Sequence, residues 1–374
     1  MSHKVDELAE TKRRKTEHID ICVGKDVQAR FISTGLEDIY PIHRALPEIS
    51  LEEIDASTKL FGHRLAAPIV IEGMTGGTEK AAKINEALAE AAEGFKIALG
   101  VGSQRAALED PGLAYTFKVA RDKAPHALLI GNLGAPQIIG EDGLTNVQRA
   151  VKMIDAGAFA IHLNSLQEAM QLEGTTSFKG LSQKIREITS KVQVPIIAKE
   201  TGAGFASEEA KILGEVGVKG IDIGGAGGTS WAAVESYRAR VRLNRSRERL
   251  GNVFWDWGIP TAVSTIEVSQ NTQLTVIASG GIRTGVDIAK SIALGADAVG
   301  LAIPFLKPAL EGKLNNTLQT LIDEVKTAMF LMGAKSIKEL KRSPLIITGR
   351  TAQWLSLRGF KPQKYARRGA LSLE

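Results

Sequence analysis

From residue 67 onward the chain alternates between apolar runs of four to eight residues and longer stretches of helical period. A strand covered on both faces reads as a continuous apolar run, and its parallel neighbour is reached by a helical crossover, so this alternation marks βα units. The apolar runs fall at 68–72, 97–101, 127–131, 158–163, 194–198, 220–224, 274–278 and 298–303. Helices are expected at Glu79–Glu93, Leu144–Ala156, Leu181–Lys191, Ser207–Glu215, Pro260–Gln270 and Gly285–Leu294. Eight strands predict a closed (β/α)8 TIM barrel over residues 67–335. A doubly wound open sheet is the alternative, but no early strand carries the GxGxxG turn with an acidic residue about 20 positions on.

Two flanking segments and one insertion fall outside the repeat. Residues 1–66 form an N-terminal extension with a basic cluster, Lys12 to Lys15, and residues 336–374 form a C-terminal extension. The tail 364–374 matches no motif. Residues 231–259, after strand six, are too long for a simple loop and carry Trp231, Tyr237, Trp255 and Trp257. Such an insertion serves either as a lid over the barrel mouth or as a subunit contact.

Glycine is the compositional excess: 38 residues, about a tenth of the chain against a usual fraction of roughly 7%. The glycines cluster at strand ends, in GMTGG (73–77), GVGS (100–103), GNLGA (131–135), GAGGTS (225–230) and SGGIRTG (279–285). There they permit tight turns and close approach of a ligand to the backbone. With 44% hydrophobic and 24% charged residues, a disordered or collagen-like chain is excluded. A net charge of +5 suits an anionic ligand but is too mild to argue for nucleic acid. The single cysteine, Cys22, excludes a disulfide framework and a Cys-ligated zinc or iron–sulfur site. No run of 18 apolar residues and no signal-peptide stretch occurs, so a soluble cytoplasmic protein with no membrane partner is expected.

Alternation in AFAIHLN puts Ala158, Ala160, His162 and Asn164 on one face and Phe159, Ile161 and Leu163 on the other. In VPIIAKET, Ala198 and Glu200 share a face opposite Lys199 and Thr201. Polar residues thus collect at the C-terminal ends of strands four and five, where barrel active sites lie. SGGIRTG after strand seven, with GLAIPF closing strand eight, suits a phosphate site built from backbone N–H groups and a helix N-terminus, with Arg283 as a matched charge. Turn glycines alone are the plainer account. Lys199 ends a buried strand, where an amine needs an anion. A unit charge pair at about 4 Å is worth roughly 4 kcal/mol at an effective dielectric near 20. That would hold a reduced flavin as its N1 anion; a Schiff base is the other use of the amine. In HLNSLQE, Glu168 could hold Mg²⁺ with substrate phosphates, or simply complement a helix dipole.

Taken in order, RKTEHI (14–19), GMTGG, SQR (103–105), GN (131–132), HLN-x-LQE, AKETGAG, GGAGGTSW and SGGIRTG resemble the type 2 isopentenyl diphosphate isomerases, from residue 14 to about 360. The resemblance implies an FMN-dependent TIM-barrel enzyme converting isopentenyl to dimethylallyl diphosphate in isoprenoid biosynthesis. It implies Mg²⁺ on the diphosphate, NADPH to reduce the flavin, and a homotetramer or homo-octamer. It places FMN against Gly73, Met74, Thr75, Ser103, Asn132, Lys199, Thr229, Gly281, Ile282, Arg283, Ala302 and Ile303. It places substrate against Arg14, Lys15, His18, Ser103, Gln104, Arg105, His162, Asn164, Gln167 and Trp231, with Glu168 on the metal. Gln167, Lys199 and His162 are its catalytic residues. Two departures affect one loop: Ser165 stands where the family pattern has proline, and QLEGT (171–175) where it has QPEGD.

Double-bond migration delivers a proton to one carbon and removes one two carbons away. Acids at the strand ends look scarce and His162 is assigned to phosphate, so reduced flavin is expected to supply the acid/base. FMN-dependent hydroxy acid oxidases resemble the chain at SGGIRTG, but they carry an HGGR-type motif where this chain has GGAGGTSW. An inosine monophosphate dehydrogenase type needs a loop cysteine, and Cys22 precedes the barrel. An anion- or RNA-binding role would use the basic extension and RARVRLNRSRER (238–249), but that run reads as a solvated helix face and 5% aromatic residues leave little for base stacking.

Overall fold

The computed structural model describes the backbone of residues 2–369 and side chains from residue 13 onward. Eight parallel strands close into a barrel: β1 (Ile69–Ile71), β2 (Ala98–Gly100), β3 (Leu129–Gly134), β4 (Ala158–His162), β5 (Ile196–Lys199), β6 (Gly220–Asp222), β7 (Thr275–Ser279) and β8 (Ala298–Leu301). Each lies within a run read from the sequence or overlaps it. The helices at 181–191, 207–215 and 285–294 keep the expected bounds, and those near 79, 144 and 260 shift by a few residues at their ends. Six helices matter to the site. They are α1 (Ser2–Gly24), α2 (Ser165–Met170), α3 (Trp231–Val241), α4 (Arg245–Val253), α5 (Gly285–Leu294) and α6 (Ile303–Glu311). Among the described residues no helix is long and apolar enough to cross a membrane.

Strand parity divides the core as alternation requires. Phe159, Ile161 and Ala198 pack outward against the helices, while Val70, Ala98, Ile130, Ala158, Ala160, Ile197, Ile277 and Ala298 fill the interior. The interior is small-residue rich toward its base because a side chain from outside enters it. Strands Thr58–Leu60 and His63–Leu65 form a hairpin whose turn residues, Phe61 and Gly62, have φ of 48° and 86°. Both left-handed positions suit the tight turn that matches strand twist. Leu60 and Leu65, fully buried, join the interior cluster with Phe61 packed against it. Gly220 on β6 makes room: a Cβ there would lie 2.6 Å from Cζ of Phe61.

The extensions are woven together around the barrel. Ile39–Pro41 pairs antiparallel with Leu345–Ile347, and Ile39, Leu355 and Tyr365 belong to one apolar cluster with the outward face of the strands. The insertion after β6 folds as α3 and α4, which pack on each other, with α3 resting on α1 and α2. Leu60→Ala should therefore leave a cavity in the barrel floor and cost about 2–5 kcal/mol. Urea unfolding is expected to show a lower midpoint with unchanged slope.

Candidate active site

Strand register builds the site. His162 on β4 pairs with Lys199 on β5, and Lys199 pairs with Asp222 on β6, so three polar residues stand at one level of the barrel. Glu72 follows β1, its backbone N–H donating to Leu301 on β8. Above this level lies a cavity of 260 Å³. Its walls include Gly73, Met74, Thr75, Ser103, Asn132, Thr229, Gly281, Ile282, Arg283, Ala302 and Ile303, all named from the sequence. Arg14, Lys15, His18, Arg105, His162, Asn164, Gln167, Glu168, Lys199 and Trp231 line it too. Gln104 does not. It is fully buried behind the wall, its amide donating to Ala150 O (2.8 Å) and accepting from Asn132 N (3.0 Å). The glutamine side chain is consumed in fixing the β2 and β3 ends, so it has nothing left for a substrate.

Lys199 differs from the sequence expectation. Its Nζ donates to Glu72 Oε2 at 2.7 Å and to Asp222 Oδ2 at 2.5 Å, and Ser279 Oγ donates to Asp222. Burial would lower this ammonium's pKa, but Asp222 and Glu72 outweigh it and raise the value above the ordinary lysine range. A permanently protonated amine of this kind is no Schiff-base nucleophile. Strand-end acids are also not scarce: Glu72, Glu200 and Asp222 are all buried there. Glu200 Oε2 accepts from the backbone N–H of Thr201, Gly202 and Ala203 at 2.6, 2.7 and 2.5 Å, which folds the AKETGAG turn around its own carboxylate. Burial still pushes Glu200 up, to about 7, against those bonds. The signal for these acids was present in IEG and GIDIGG, each placing an acid one residue past or at a strand end.

The phosphate pole also differs in detail. Helix α5, after β7, has its first turn closed by its own capping box, Thr284 with Asp287. Helix α6, after β8, has no side-chain cap, and its Ala302 and Ile303 face the cavity. The exposed dipole end is thus after β8. Around it the glycine loops touch backbone to backbone, since a Cβ on Gly228 would strike Gly281 N. Gly281 has φ of 73°, a left-handed conformation that suits glycine. Arg283 is turned to Gln28 Oε1 (2.8 Å), and burial lowers its pKa.

A second cationic group comes from the N-terminal helix, which folds back across the mouth of its own barrel. Lys15 Nζ donates to Ser103 O at 2.8 Å and lies 5.2 Å from the Phe117 ring centroid. Burial, then the neighbouring Arg14, push Lys15 down to about 7. Arg105 pairs with Glu109 (2.5 Å), and Arg14 stands 4.0 Å from Glu173. His18 Nε2 meets Glu235 Oε1 at 2.9 Å and packs edge-on against Trp231. His162 Nδ1 lies 2.7 Å from Asn132 Oδ1, and burial, then Lys199, Arg14 and Lys15, lower its pKa to about 3. The ring is neutral at physiological pH.

Asn164 Nδ2 donates to Gln167 Oε1 (3.0 Å) and Glu168 Oε1 (3.2 Å), while Glu168 Oε2 accepts from Thr175 N at 2.7 Å. The unusual 171–175 loop therefore carries directly into the site. Its Glu173, with Glu17 and Glu235, surrounds Arg238, a fully buried guanidinium that the sequence reading placed in a solvated helix face. Those ion pairs join α1, the 171–175 loop and α3.

The comparisons agree with this geometry. Residues 164–347 match the family described as FMN-dependent dehydrogenase. Solved structures of the same fold include a mandelate oxidase variant with (S)-mandelic acid, with a TM-score of 0.59 at 18% identity over 91% of this chain and 98% of that one. A flavocytochrome b2 variant gives 0.63 at 17% identity over 91% and 88%. The fold is a (β/α)8 barrel, and its part from residue 164 to 347 is similar to the FMN-dependent dehydrogenases. The relatives in sequence narrow it. Isopentenyl-diphosphate delta-isomerase of Methanosarcina acetivorans is 49% identical over 95% of this chain and 97% of its own length. That of Methanothermobacter thermautotrophicus is 50% identical over 95% and 99%, and that of Pyrococcus furiosus 48% over 95% and 91%. The chain belongs to the isopentenyl-diphosphate delta-isomerase family.

The cavity fits the cofactor. Thr75 Oγ1 and Asn164 Oδ1 are buried in the wall without a hydrogen-bond partner among the described residues, the glycine loops and uncapped α6 offer a phosphate cradle, and Lys199 places an ammonium at the cavity floor. Lys15 generates a testable consequence. Its lowered pKa means the amine loses its proton as pH rises through about 7, and an anion bound beside it would favour the charged form. KM for a diphosphate substrate should be lowest on the acidic side of neutrality and climb above it. Lys15→Arg, which stays charged, should flatten that rise in initial-rate profiles.

Proposed function

We propose that the protein interconverts isopentenyl and dimethylallyl diphosphate, with reduced FMN and with Mg²⁺ on the diphosphate. The observation that carries this reading is one cavity served by two separate anion-binding groups. The cations Arg14, Lys15 and Arg105 suit a diphosphate, while the glycine loops with α6 suit the phosphate of FMN. Reduced FMN, when bound, supplies an acid/base at N5 and an electron-rich face for developing positive charge.

The chain's own residues bind, orient and exclude water. Arg14, Lys15 and Arg105 hold the diphosphate by charge-assisted hydrogen bonds, each worth roughly 1.5–3 kcal/mol. Holding that end fixes the alkene in the cavity, a proximity contribution. His162, neutral and tied to Asn132, offers a ring nitrogen to the same group. Gln167 is oriented by Asn164 toward the reacting carbons, and Trp231 with α1 closes the mouth against water. Among the described residues no group of three or more His, Cys, Asp or Glu side chains is arranged to hold a metal. Glu168 with diphosphate oxygens suits Mg²⁺, an ion commonly held by one or two carboxylates plus phosphates. From the family resemblance the proposal takes NADPH as the reductant, a cytoplasmic location and a homotetramer or homo-octamer.

Isomerisation transfers no net electrons. Purified protein should be yellow and release FMN on heating. Reduced once without oxygen, it should turn over isopentenyl diphosphate many times with the flavin still bleached, and in D₂O label the new methyl group. Reductant consumed in proportion to product would overturn the reading. Glu168→Gln should sharply raise the Mg²⁺ concentration needed for half-maximal rate while FMN stays bound; an unchanged requirement would remove Glu168 from the metal.

A further inference from the structure

The strand-end carboxylates of the cavity are satisfied very unequally. Glu200 is wrapped by three backbone N–H groups, and Asp222 receives both Lys199 and Ser279. Glu72 has Lys199 on Oε2, but its Oε1 is buried with no hydrogen-bond partner among the described residues. That oxygen occupies the place a Cβ of Gly300 would take. The ionisable groups facing Glu72 are Lys199 from β5 and Asp222 from β6; β8 presents only Gly300. One ammonium against two carboxylates leaves a surplus negative charge among side chains that are 11%, 9% and 5% exposed for Lys199, Glu72 and Asp222. An uncompensated buried charge is costly, and two carboxylates sharing one cation raise each other's proton affinity. Burial, then Asp222, push Glu72 upward, with Lys199 opposing.

We propose that Glu72 takes up a proton when reduction of a bound flavin places negative charge against Lys199. This rests on the FMN reading above. In the step, oxidised flavin accepts two electrons from a two-electron donor (dithionite in the test, a reduced nicotinamide otherwise) and one proton at N5, leaving a negative charge at N1. A second proton, from solvent, forms the O–H bond of Glu72. At alkaline pH, where Glu72 starts ionised, the flavin ring goes from neutral to −1 and the Glu72–Lys199–Asp222 cluster from −1 to neutral, so the cavity's total charge is unchanged. Lys199, freed from one of its two anions, turns its charge to N1. Glu72 is thus a positioning residue that acts through Lys199.

The test is the flavin midpoint potential of the holoenzyme against pH, by dithionite titration with mediators from neutral to alkaline pH. Each proton taken up per two electrons is a tenfold change per pH unit, about 30 mV. Wild type should show a window with a slope of about 60 mV per pH unit, and Glu72→Gln about 30 mV throughout. Both should give the spectrum of anionic reduced flavin. Equal slopes in the two proteins, a wild-type slope of about 30 mV throughout, or a neutral reduced-flavin spectrum would overturn the proposal. If Glu72→Gln fails to hold flavin, wild type alone decides, by indicator-dye proton uptake within that window. Two protons per flavin with an anionic spectrum support the proposal and one proton overturns it. A chain that binds no flavin overturns the FMN reading itself, whereas stoichiometric flavin with a one-proton slope overturns this inference alone.

Discussion

The buried ammonium of Lys199, held between Glu72 and Asp222, organises the molecule's chemistry. It links the ends of β1, β5 and β6 across the interior of the barrel, at the level where packed apolar side chains give way to a polar cavity. Below it the interior is hydrocarbon, sealed by Leu60, Phe61 and Leu65 from outside the repeat. Above it the walls combine polar side chains and glycine backbone with apolar groups such as Met74, Ile282 and Leu306. A buried charge of this kind is tolerated only with its partners, and removing one partner of such a pair typically costs about 3–5 kcal/mol. The acids therefore stabilise the lysine and keep it protonated near neutrality, while the second carboxylate leaves the cluster as a whole with surplus negative charge.

The second constraint is the closure of the mouth by α1. A helix that brings Arg14 and Lys15 over the cavity concentrates like charge, which opposes folding in the empty site. Arg238 offsets this by gathering Glu17, Glu173 and Glu235 at 2.9, 2.7 and 2.7 Å, tying α1 to α3 and to the 171–175 loop. Of the cations facing the cavity, Arg105 pairs with Glu109 and Arg14 stands 4.0 Å from Glu173, while among the described residues Lys15 meets a carbonyl oxygen and an aromatic face. An arriving diphosphate would complete them. The insertion after β6 is in this sense part of the site wall, because Trp231 and Glu235 on α3 hold His18 in place.

Much of the site was legible before any coordinates. Barrel strands alternate in and out with a period of two, so AFAIHLN alone orients His162 and Asn164, and glycine clusters at strand ends mark where a phosphate meets backbone. Gln104 shows where that reading stops. SQR places three polar residues in a row beside the cavity, and only packing reveals that the middle one turns inward to Ala150 and Asn132. Arg238 shows the same from the other side. A run of closely spaced arginines looks solvated by composition, yet one member is wholly buried because Glu17 and Glu173 from distant segments converge on it with Glu235 of its own helix.

By itself the sequence determined the eight-stranded barrel, the order of its βα units and the group of residues at the strand ends, since each depends on local periodicity and on connections between neighbours. Tertiary structure alone decided which charges pair. Glu72, Lys199 and Asp222 are separated by 127 and 23 positions and meet only through barrel closure and register. The same closure decided that α5 caps itself while α6 leaves its N-terminus to the cavity, and that α1 returns over the mouth. Electrostatic partnership falls off with distance in space and not along the chain, so no local pattern records it.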